Sequence, residues 1–295
     1  ELAASFEEGE ITPEFATYQA LAERTGCPLS IPLLQNPATP EDWRTILRSI
    51  ERAAQAGAPI SAQVAIRPVG ALFGLLGSMN PFAGSAAARS LAGLSADEVR
   101  ARLADEALVD TIVRETEAAG SVDPAWLYPM EAPVDYFPRP ERSIAGRAKE
   151  KGVSPLRFML DFLREDPRTR LLYMPVRNWI AGDDSVVAEQ LASPVAIPGL
   201  SDGGAHCTQI CDVSAPTTLL AYWGRDRRQG DRLPIEGLVK RHTADTARLA
   251  GFADRGVLAV GKKADVNVID WDRLGVVPPE FREDFPAGGR RLVQR

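Results

Sequence analysis

The sequence predicts an α/β fold in which parallel strands alternate with helices. Stretches of about 15 residues with apolar side chains at helical spacing alternate with apolar runs of about six residues. Helix-capping residues, Gly and Pro mark the boundaries between these stretches. Because helices and strands that alternate along a chain are typical of βα units, we expect the strands to form a parallel sheet.

Two βα units near the start of the chain show this pattern. Thr12-Pro13-Glu14 is typical of a helix N-terminus, and Gly26 is typical of a helix end. The apolar run that follows ends just before Gln35, and a second capped helix is closed by Gly57 before the next apolar run. The predicted elements are a helix over 12–26, a strand over 28–34, a helix over 39–56 and a strand over 60–66.

Residues 70–165 interrupt this pattern. They include a charged stretch that predicts a helix over 95–119, and a segment rich in Pro and aromatic residues at 126–138. A connection of this length inside one domain is typical of a functional insertion. The sequence therefore predicts an insertion that acts as a lid or covers a substrate.

The βα pattern returns after the insertion and then ends. The predicted elements are a helix over 155–164, a strand over 170–174, a helix over 184–191, a strand that leads to Asp202 and a helix over 234–250. Residues 257–270 are rich in β-branched side chains and carry a turn signal at Gly261. That composition predicts short strands rather than another helix.

The composition argues against several classes of protein. The 295 residues carry 34 basic and 40 acidic side chains, a net charge of −6, with no polybasic block. This balance argues against nucleic acid and anionic membranes as partners and favours a small-molecule substrate, while pairing with another copy of the chain is left open. No apolar run approaches the roughly 18 residues that span a bilayer, and the chain does not start like a signal peptide.

The cysteines predict the compartment of the protein. Cys27, Cys207 and Cys211 are few and odd in number, which argues against a disulfide framework. We therefore expect a reducing compartment, the cytoplasm. The sequence begins with Glu1 rather than Met, and we expect it to be a fragment of a longer protein.

The most informative stretch of the chain is residues 195–206. An apolar run predicts a buried strand, and it ends in a corner that presents Asp202 and His206. Parallel barrels display catalytic groups in this way, on the loop that follows the C-terminal end of a strand. An Asp-Gly pair is also a common turn, but the small residues 203–205 let a substrate approach closely.

Three segments in order carry a resemblance to a known family. Residues 195–206, 233–251 and 254–270 resemble the closing third of the amidohydrolase superfamily. The similarity is greatest to its branch of N-acyl-D-amino-acid deacylases (D-aminoacylase-like, amidohydrolase family 3). It is specific from about residue 192 to the end and weaker back to about residue 12.

The resemblance implies a fold and a division into domains. It implies the C-terminal half of a (β/α)8 TIM-like barrel over residues 1–250, with the insertion at about 70–165. Residues 251–295 would form part of a flanking β-sandwich whose other strands lie outside the chain. Because a half barrel exposes strand edges, we expect the isolated chain to be soluble only when paired with the missing N-terminal half or with another copy, and otherwise to aggregate or bind a hydrophobic dye. We also expect it not to hydrolyse amides, because the first metal-binding segment of the family would lie outside the chain.

The resemblance also implies roles for individual residues. In amidohydrolases the Asp at the position of Asp202 lies beside zinc, accepts a proton from the metal-bound water and returns it to the leaving nitrogen. Asp202 is thus the expected catalytic residue and a candidate metal ligand, with one or two zinc ions expected. The candidate substrate-binding residues are His206, Arg67, Arg177 and Asn178, since a guanidinium matches a carboxylate bidentately.

The chain departs from the family at the metal ligands. The family uses a His-x-His pair, a bridging Cys, Lys or Glu, and histidines at the ends of strands five and six, whereas this sequence has two histidines in all. Gln35 and Gln63 stand where we expect the histidines of strands five and six, and the other ligands would lie outside the chain. A neutral amide oxygen binds zinc weakly, so weak metal binding and loss of hydrolysis are both open.

The remaining metal-binding side chains have simpler interpretations. His206, Cys207 and Cys211 resemble a zinc cluster, but no second pair completes a tetrahedral set. We interpret the two thiols as small buried side chains. His242 lies in a predicted amphipathic helix, and we interpret it as an ordinary helix residue rather than a ligand.

By resemblance, the predicted function is metal-dependent hydrolysis of an amide C–N bond other than a peptide bond, in an N-acyl-D-amino acid. One alternative is a cyclic amidohydrolase of the dihydroorotase or hydantoinase kind, which shares the closing motifs. Another alternative is a metal-free homologue that acts as a binding or assembly protein, which Gln35 and Gln63 favour.

Overall fold

A computed structural model describes residues 11–199, 201 and 206–295, so Asp202 lies outside the described residues. In chain order the helices are α1 (Ile11–Thr25), α2 (Asp42–Gln55), α3 (Ala86–Arg89), α4 (Ala96–Arg102), α5 (Glu106–Ala119), α6 (Ile144–Lys151), α7 (Pro155–Glu165), α8 (Ser185–Ala192), α9 (Ala215–Thr218), α10 (Ile235–Lys240) and α11 (Thr246–Leu249). The strands are β1 (Leu29–Leu33), β2 (Ile60–Ala65), β3 (Val69–Phe73), β4 (Tyr128–Pro129), β5 (Leu172–Arg177), β6 (Ala196–Gly199), β7 (Glu280–Phe285) and β8 (Gly289–Val293).

The chain divides into two compact units. The first unit contains the described residues of 1–69, 177–201 and 215–275, and the second contains those of 70–176, 202–214 and 276–295. Neither unit coincides with residues 1–250 or 251–295, and that division stays a prediction. Among the described residues, no helix is long and apolar enough to cross a membrane.

The first unit is built on a parallel sheet in the order β1-β2-β6. Leu33 pairs with Val64, and Gln63 pairs with Ile197. Side chains alternate between the two faces of a strand, so each strand contributes to both faces of this sheet. One face is apolar and carries Ile31, Leu33, Ala62, Val64 and Ala196. The other face carries the polar and small residues Ser30, Ser61, Gln63 and Gly199, together with Pro32 and Ile197. The predicted parallel arrangement is thus confirmed for β1, β2 and β6, whereas the strand predicted over 170–174 corresponds to β5, which lies in another sheet and pairs antiparallel with β4.

Two helical stretches of the first unit contain π-helical turns. Helix α9 continues into a π-helical segment at Leu219–Asp226, and α10 continues through another at Arg241–Asp245 into α11. The helix predicted over 234–250 is therefore present, with a wider turn in its middle. Such π-helical turns are frequent at functional sites.

Residues 257–270 differ from the expectation of short strands, because they form no strand in the structure. A strand needs a neighbour to pair its backbone groups, and this segment has none among the described residues. Its apolar side chains are left open to solvent, as Leu258 is 78% exposed and Val268 is 97% exposed. The strands predicted from composition are therefore not formed in residues 257–270.

The second unit combines helices with a sheet in the order β3-β5-β4 and an antiparallel hairpin of β7 and β8. Its core includes Phe82, Ile112, Leu160, Leu171 and Tyr173. The single helix predicted over 95–119 is two helices, α4 and α5. The break has a local cause, because the Asp105 side chain accepts a hydrogen bond from Ala107 N at 3.0 Å and starts a new helix.

Candidate functional site

The carboxyl ends of β1, β2 and β6 lie at one edge of the parallel sheet. Gln35 follows β1 by two residues, and Arg67 follows β2 by two residues. Gly199 is the last residue of β6 and pairs with Ala65. This edge of a parallel sheet is where α/β proteins bind ligands. The structure thus brings Gln35 and Arg67 to one edge of the sheet.

Gln63 lies within β2 rather than at its end, and its side chain lies across β6. A methyl group added to Gly199 would come within 2.5 Å of Gln63 Cγ and 2.6 Å of Nε2, so the absence of a side chain at Gly199 makes the arrangement possible. Gln63 Oε1 is buried and has no hydrogen-bond partner in the described part of the chain. A buried acceptor without a partner is costly, so Gln63 Oε1 is a candidate acceptor in this unit.

Gln35 is held by the loops around it. Its backbone N–H donates to Asn178 Oδ1 at 2.6 Å, and its Nε2 donates to Pro40 O at 3.3 Å. Its Oε1 accepts a long contact of 3.5 Å from Ile180 N. The side-chain amide of Gln35 is therefore directed to neighbouring backbone groups, in contrast to that of Gln63.

Arg177 and Asn178 lie against the loop after β1. Arg177 Nη1 donates to Asn36 Oδ1 at 2.8 Å. Asn178 is fully buried, and its Nδ2 donates to Gln190 Oε1 at 3.2 Å. Asn178 has a φ of 62°, a left-handed conformation that Asn tolerates better than most residues. These two residues link the end of β5 to the loop that carries Gln35.

Asn178→Gly is expected to lower the free energy of unfolding by about 1–3 kcal/mol, because Gln35 N–H and Gln190 Oε1 each lose a buried hydrogen-bond partner. Gly adopts a positive φ without strain, so the variant removes the side chain without straining the backbone. Asn178→Asp is the matched control, since it keeps the acceptor for Gln35 N–H, and rotation of the Gln190 amide would present Nε2 to the carboxylate. Urea unfolding of both variants measures the difference. Equal stability of Asn178→Gly and the wild type would contradict this account.

Arg67 is a buried cation at the end of β2. It is 2% exposed, and its Nη1 donates to Thr218 Oγ1 at 3.2 Å. The neighbouring Ile66 O accepts a hydrogen bond from Trp223 Nε1 at 2.7 Å. Both contacts attach the end of β2 to α9 and the π-helical segment that follows it. This attachment fixes where the guanidinium of Arg67 lies.

A buried ion pair in the first unit was missed by the sequence reasoning. Arg227 donates through Nε and Nη2 to the two carboxylate oxygens of Asp184, at 2.9 and 3.0 Å. Tyr222 OH donates to Asp184 Oδ2 at 2.8 Å. The hydrogen bonds to Asp184 raise the pKa of Arg227. These residues are about 40 positions apart, and no local signal pairs them.

His242 lies in the π-helical segment Arg241–Asp245, away from any cluster of metal-binding side chains in the described ranges. Burial lowers the pKa of its imidazole below the usual value of 6.5. The neutral form is therefore favoured in the folded protein.

The lowered pKa of His242 predicts a dependence of stability on pH. The unfolded chain binds a proton near pH 6.5 and the folded chain only at lower pH, so the free energy of unfolding falls as the pH drops below about 6.5. His242→Gln is expected to reduce that fall, and urea unfolding between about pH 5 and pH 8 measures it. An unchanged pH dependence in the variant would contradict the prediction.

His206 and the two nearby cysteines lie in the second unit. His206 is exposed with a φ of 47°, and its backbone O accepts hydrogen bonds from Gln209 N at 2.7 Å and Ile210 N at 3.0 Å. Cys207 is partly buried and Cys211 is buried. Over the ranges that the structure describes, no group of three or more His, Cys, Asp or Glu side chains could hold a metal ion.

A model of the amidohydrolase family matches residues 7–286. No curated protein matches the chain. Among solved structures, the chain is similar to N-acyl-D-glutamate deacylase from Bordetella bronchiseptica, complexed with zinc and a phosphonate inhibitor, at 19% identity and a TM-score of 0.45. The match covers 92% of this chain and 48% of that one, so the chain spans about half the length of that structure.

Proposed function

The chain belongs to the amidohydrolase family, and we propose that it is part of a hydrolase of amide C–N bonds other than peptide bonds. The family match over residues 7–286 is the observation that carries this proposal. The structure adds a parallel sheet whose carboxyl edge holds Gln35 and the buried Arg67, and whose polar face holds Gln63. Such an edge offers polar groups to a substrate within a mostly apolar unit.

The proposed substrate is an N-acyl-D-amino acid. Such a molecule carries a free carboxylate, and Arg67 is the described cation best placed to receive it, at the end of β2. A guanidinium binds a carboxylate through two parallel hydrogen bonds, which are strongest away from water. Arg177, Asn178 and His206 are proposed to contribute further contacts.

Asp202 is proposed to move the proton in the reaction. Water adds to the carbonyl carbon while Asp202 accepts its proton, and Asp202 then returns that proton to the nitrogen as the C–N bond breaks. The products are a carboxylic acid and an amine, which become a carboxylate and an ammonium group when the acid gives its proton to the amine. This role rests on the position of Asp202 in the closing motif of the family.

Zinc is part of the proposal, but the described residues do not form a zinc site by themselves. Gln63 Oε1 is the one buried amide oxygen here without a partner among the described residues, whereas Gln35 Oε1 contacts Ile180 N. Zinc in proteins is held mainly by His, Cys and carboxylate ligands, so two amides do not suffice. We propose that Asp202 and residues outside this chain supply the rest.

A panel of substrates tests the proposal on the complete protein with zinc added. N-acetyl-D-amino acids, their L-isomers and cyclic amides such as dihydroorotate are compared, with release of free amino acid or ring opening as the readout. We expect hydrolysis of the D-isomers. Ring opening in its place would favour the cyclic amidohydrolase. No turnover, with no bound zinc by metal analysis, would favour a metal-free binding protein.

A further inference from the structure

In the first unit, residues 263–270 form an extended segment that is held at both ends. The segment contains no turn and no bend. At its start, Lys263 N donates to Asp254 O at 2.7 Å. Shortly after its end, Arg225 Nη2 donates to Leu274 O at 2.6 Å. Both attachments are made within the first unit, so the ends of the segment are fixed before any partner binds, which lowers the entropy cost of binding.

The segment offers both its backbone and its side chains to a partner. In the part of the chain that the structure describes, no backbone–backbone hydrogen bond involves residues 264–270. The side chains along the segment are exposed, and they include Val266 at 60% and Val268 at 97%. An extended segment with exposed backbone groups is a template to which another strand adds.

The order of side chains along the segment is complementary to itself when two copies run antiparallel. Alternate residues of a strand share a face, and one face carries, in order, Lys262, Ala264, Val266, Val268 and Asp270. With a two-fold axis at Val266, Lys262 lies opposite Asp270 of the second copy, and Ala264 lies opposite Val268. Opposite charges and apolar side chains that face each other stabilise a pair of strands. A parallel pair in register would instead place each charge opposite its own copy, which is destabilising.

The charged ends of the segment are accessible to a second copy. The side chain of Asp270 is 59% exposed, and its contacts with Arg273 are long, at 3.3 Å from the backbone N and 3.6 Å from Nε. Lys262 is exposed and donates one hydrogen to Ala253 O, which leaves two of the three donors of an ammonium group for another contact. On the other face of the segment, the same register brings no like charges together.

We propose that residues 262–270 are a docking surface for a second copy of this chain, which adds as an antiparallel strand about a two-fold axis at Val266. The same segment is used by both copies, as in other isologous interfaces. Backbone hydrogen bonds between the two strands provide affinity, and the opposed Lys262 and Asp270 side chains select the direction and the register. This assembly does not depend on the proposed hydrolysis.

Charge reversal tests the direction and the register. Lys262→Asp is expected to raise the dimer Kd of the 295-residue chain by about tenfold or more, because it places carboxylates opposite each other at both ends of the pair. Asp270→Lys should act in the same direction. The double variant Lys262→Asp with Asp270→Lys restores opposite charges across the interface, so it should recover most of the affinity. Sedimentation equilibrium measures Kd for all four proteins.

A substitution at the axis tests the apolar contact. Val266→Lys brings two ammonium groups together, and we expect the chain to be monomeric at concentrations at which the wild type is a dimer. Leu258→Lys is the matched control, because Leu258 is 78% exposed and lies outside the segment. The control should keep the wild-type Kd. Both side chains are exposed, so neither variant removes a core contact.

Cross-linking locates the axis in the complete protein. In a background of Cys27→Ser and Cys207→Ser, which removes the exposed and the partly buried thiol, Val266→Cys should give a covalent dimer with a short bifunctional thiol reagent. The residue at the axis lies opposite its own copy, whereas Leu258→Cys should give no such dimer.

Three results would each overturn the inference. The first is a monomeric wild-type chain, and the second is a dimer whose Kd is unchanged in Val266→Lys or is not recovered by the double charge reversal. The third is a complete protein in which Val266→Cys forms no covalent dimer, as expected if the segment pairs with another strand of the same copy.

Discussion

Asp202→Asn is expected to lower kcat of the complete protein by about a thousandfold, within the range of general acid–base catalysis, while KM changes little. An amide cannot accept the proton of the attacking water, but it has nearly the same size and shape as the carboxylate. Substrate binding should therefore survive. Hydrolysis of an N-acetyl-D-amino acid under saturating conditions measures kcat, and the dependence on concentration gives KM.

Asp254→Asn is the matched control for this substitution, because Asp254 is a half-exposed carboxylate paired with Arg255 on the surface of the first unit. The control variant should retain wild-type kcat. If Asp202→Asn has a nearly normal rate, with zinc present in both proteins, another group moves the proton. That result would contradict the role proposed for Asp202.

Asp184→Asn is expected to lower the free energy of unfolding by about 3–5 kcal/mol, because it leaves a buried guanidinium without its partner. The side chains of Asp184 and Arg227 are 2% and 10% exposed, so water cannot solvate the guanidinium once the carboxylate is removed. Tyr222→Phe removes one neutral donor to the same carboxylate and should cost less. Urea unfolding monitored by tryptophan fluorescence measures the difference, and Trp223, whose ring centroid lies 4.8 Å from Arg227 Cζ, is one of the five tryptophans that contribute.

Two comparisons make the prediction for Asp184 specific. Glu280→Gln breaks a largely exposed pair with Arg282 and should change stability by less than about 1 kcal/mol. The double variant Asp184→Leu with Arg227→Met removes both charges and should be more stable than Asp184→Asn. If Asp184→Asn is no less stable than the Glu280→Gln control, the ion pair of Asp184 and Arg227 does not stabilise the fold through its charges.

The elements of the first unit were predictable because their signals are local. An apolar run with a Gly on its flank predicts β1 and β2, and helix caps predict α2. Since the carboxyl ends of parallel strands lie together, the placement of Gln35 and Arg67 at one edge follows from the same pattern. The resemblance of residues 195–206 to a family motif was needed to add Asp202.

The rest of the fold depends on contacts between distant parts of the chain. The hydrogen bond from Gln35 to Asn178 spans 143 residues, and neither residue type announces it. The second unit consists of the described residues of 70–176, 202–214 and 276–295. Contacts between segments that are distant in sequence therefore define its extent. Residues 257–270 show the opposite case, because their composition favours strands while pairing requires a neighbour that the described chain does not provide.

The location of a bound transition-state mimic shows whether Asp202 and Arg67 belong to the active site. We propose a crystal structure of the complete protein with zinc and a phosphonate analogue of an N-acyl-D-amino acid. The account predicts the phosphonate at the carboxyl ends of β1, β2 and β6, with one oxygen within hydrogen-bond distance of Asp202 and the carboxylate of the analogue on Arg67. A phosphonate bound elsewhere, with Asp202 and Arg67 both away from it, would contradict the account.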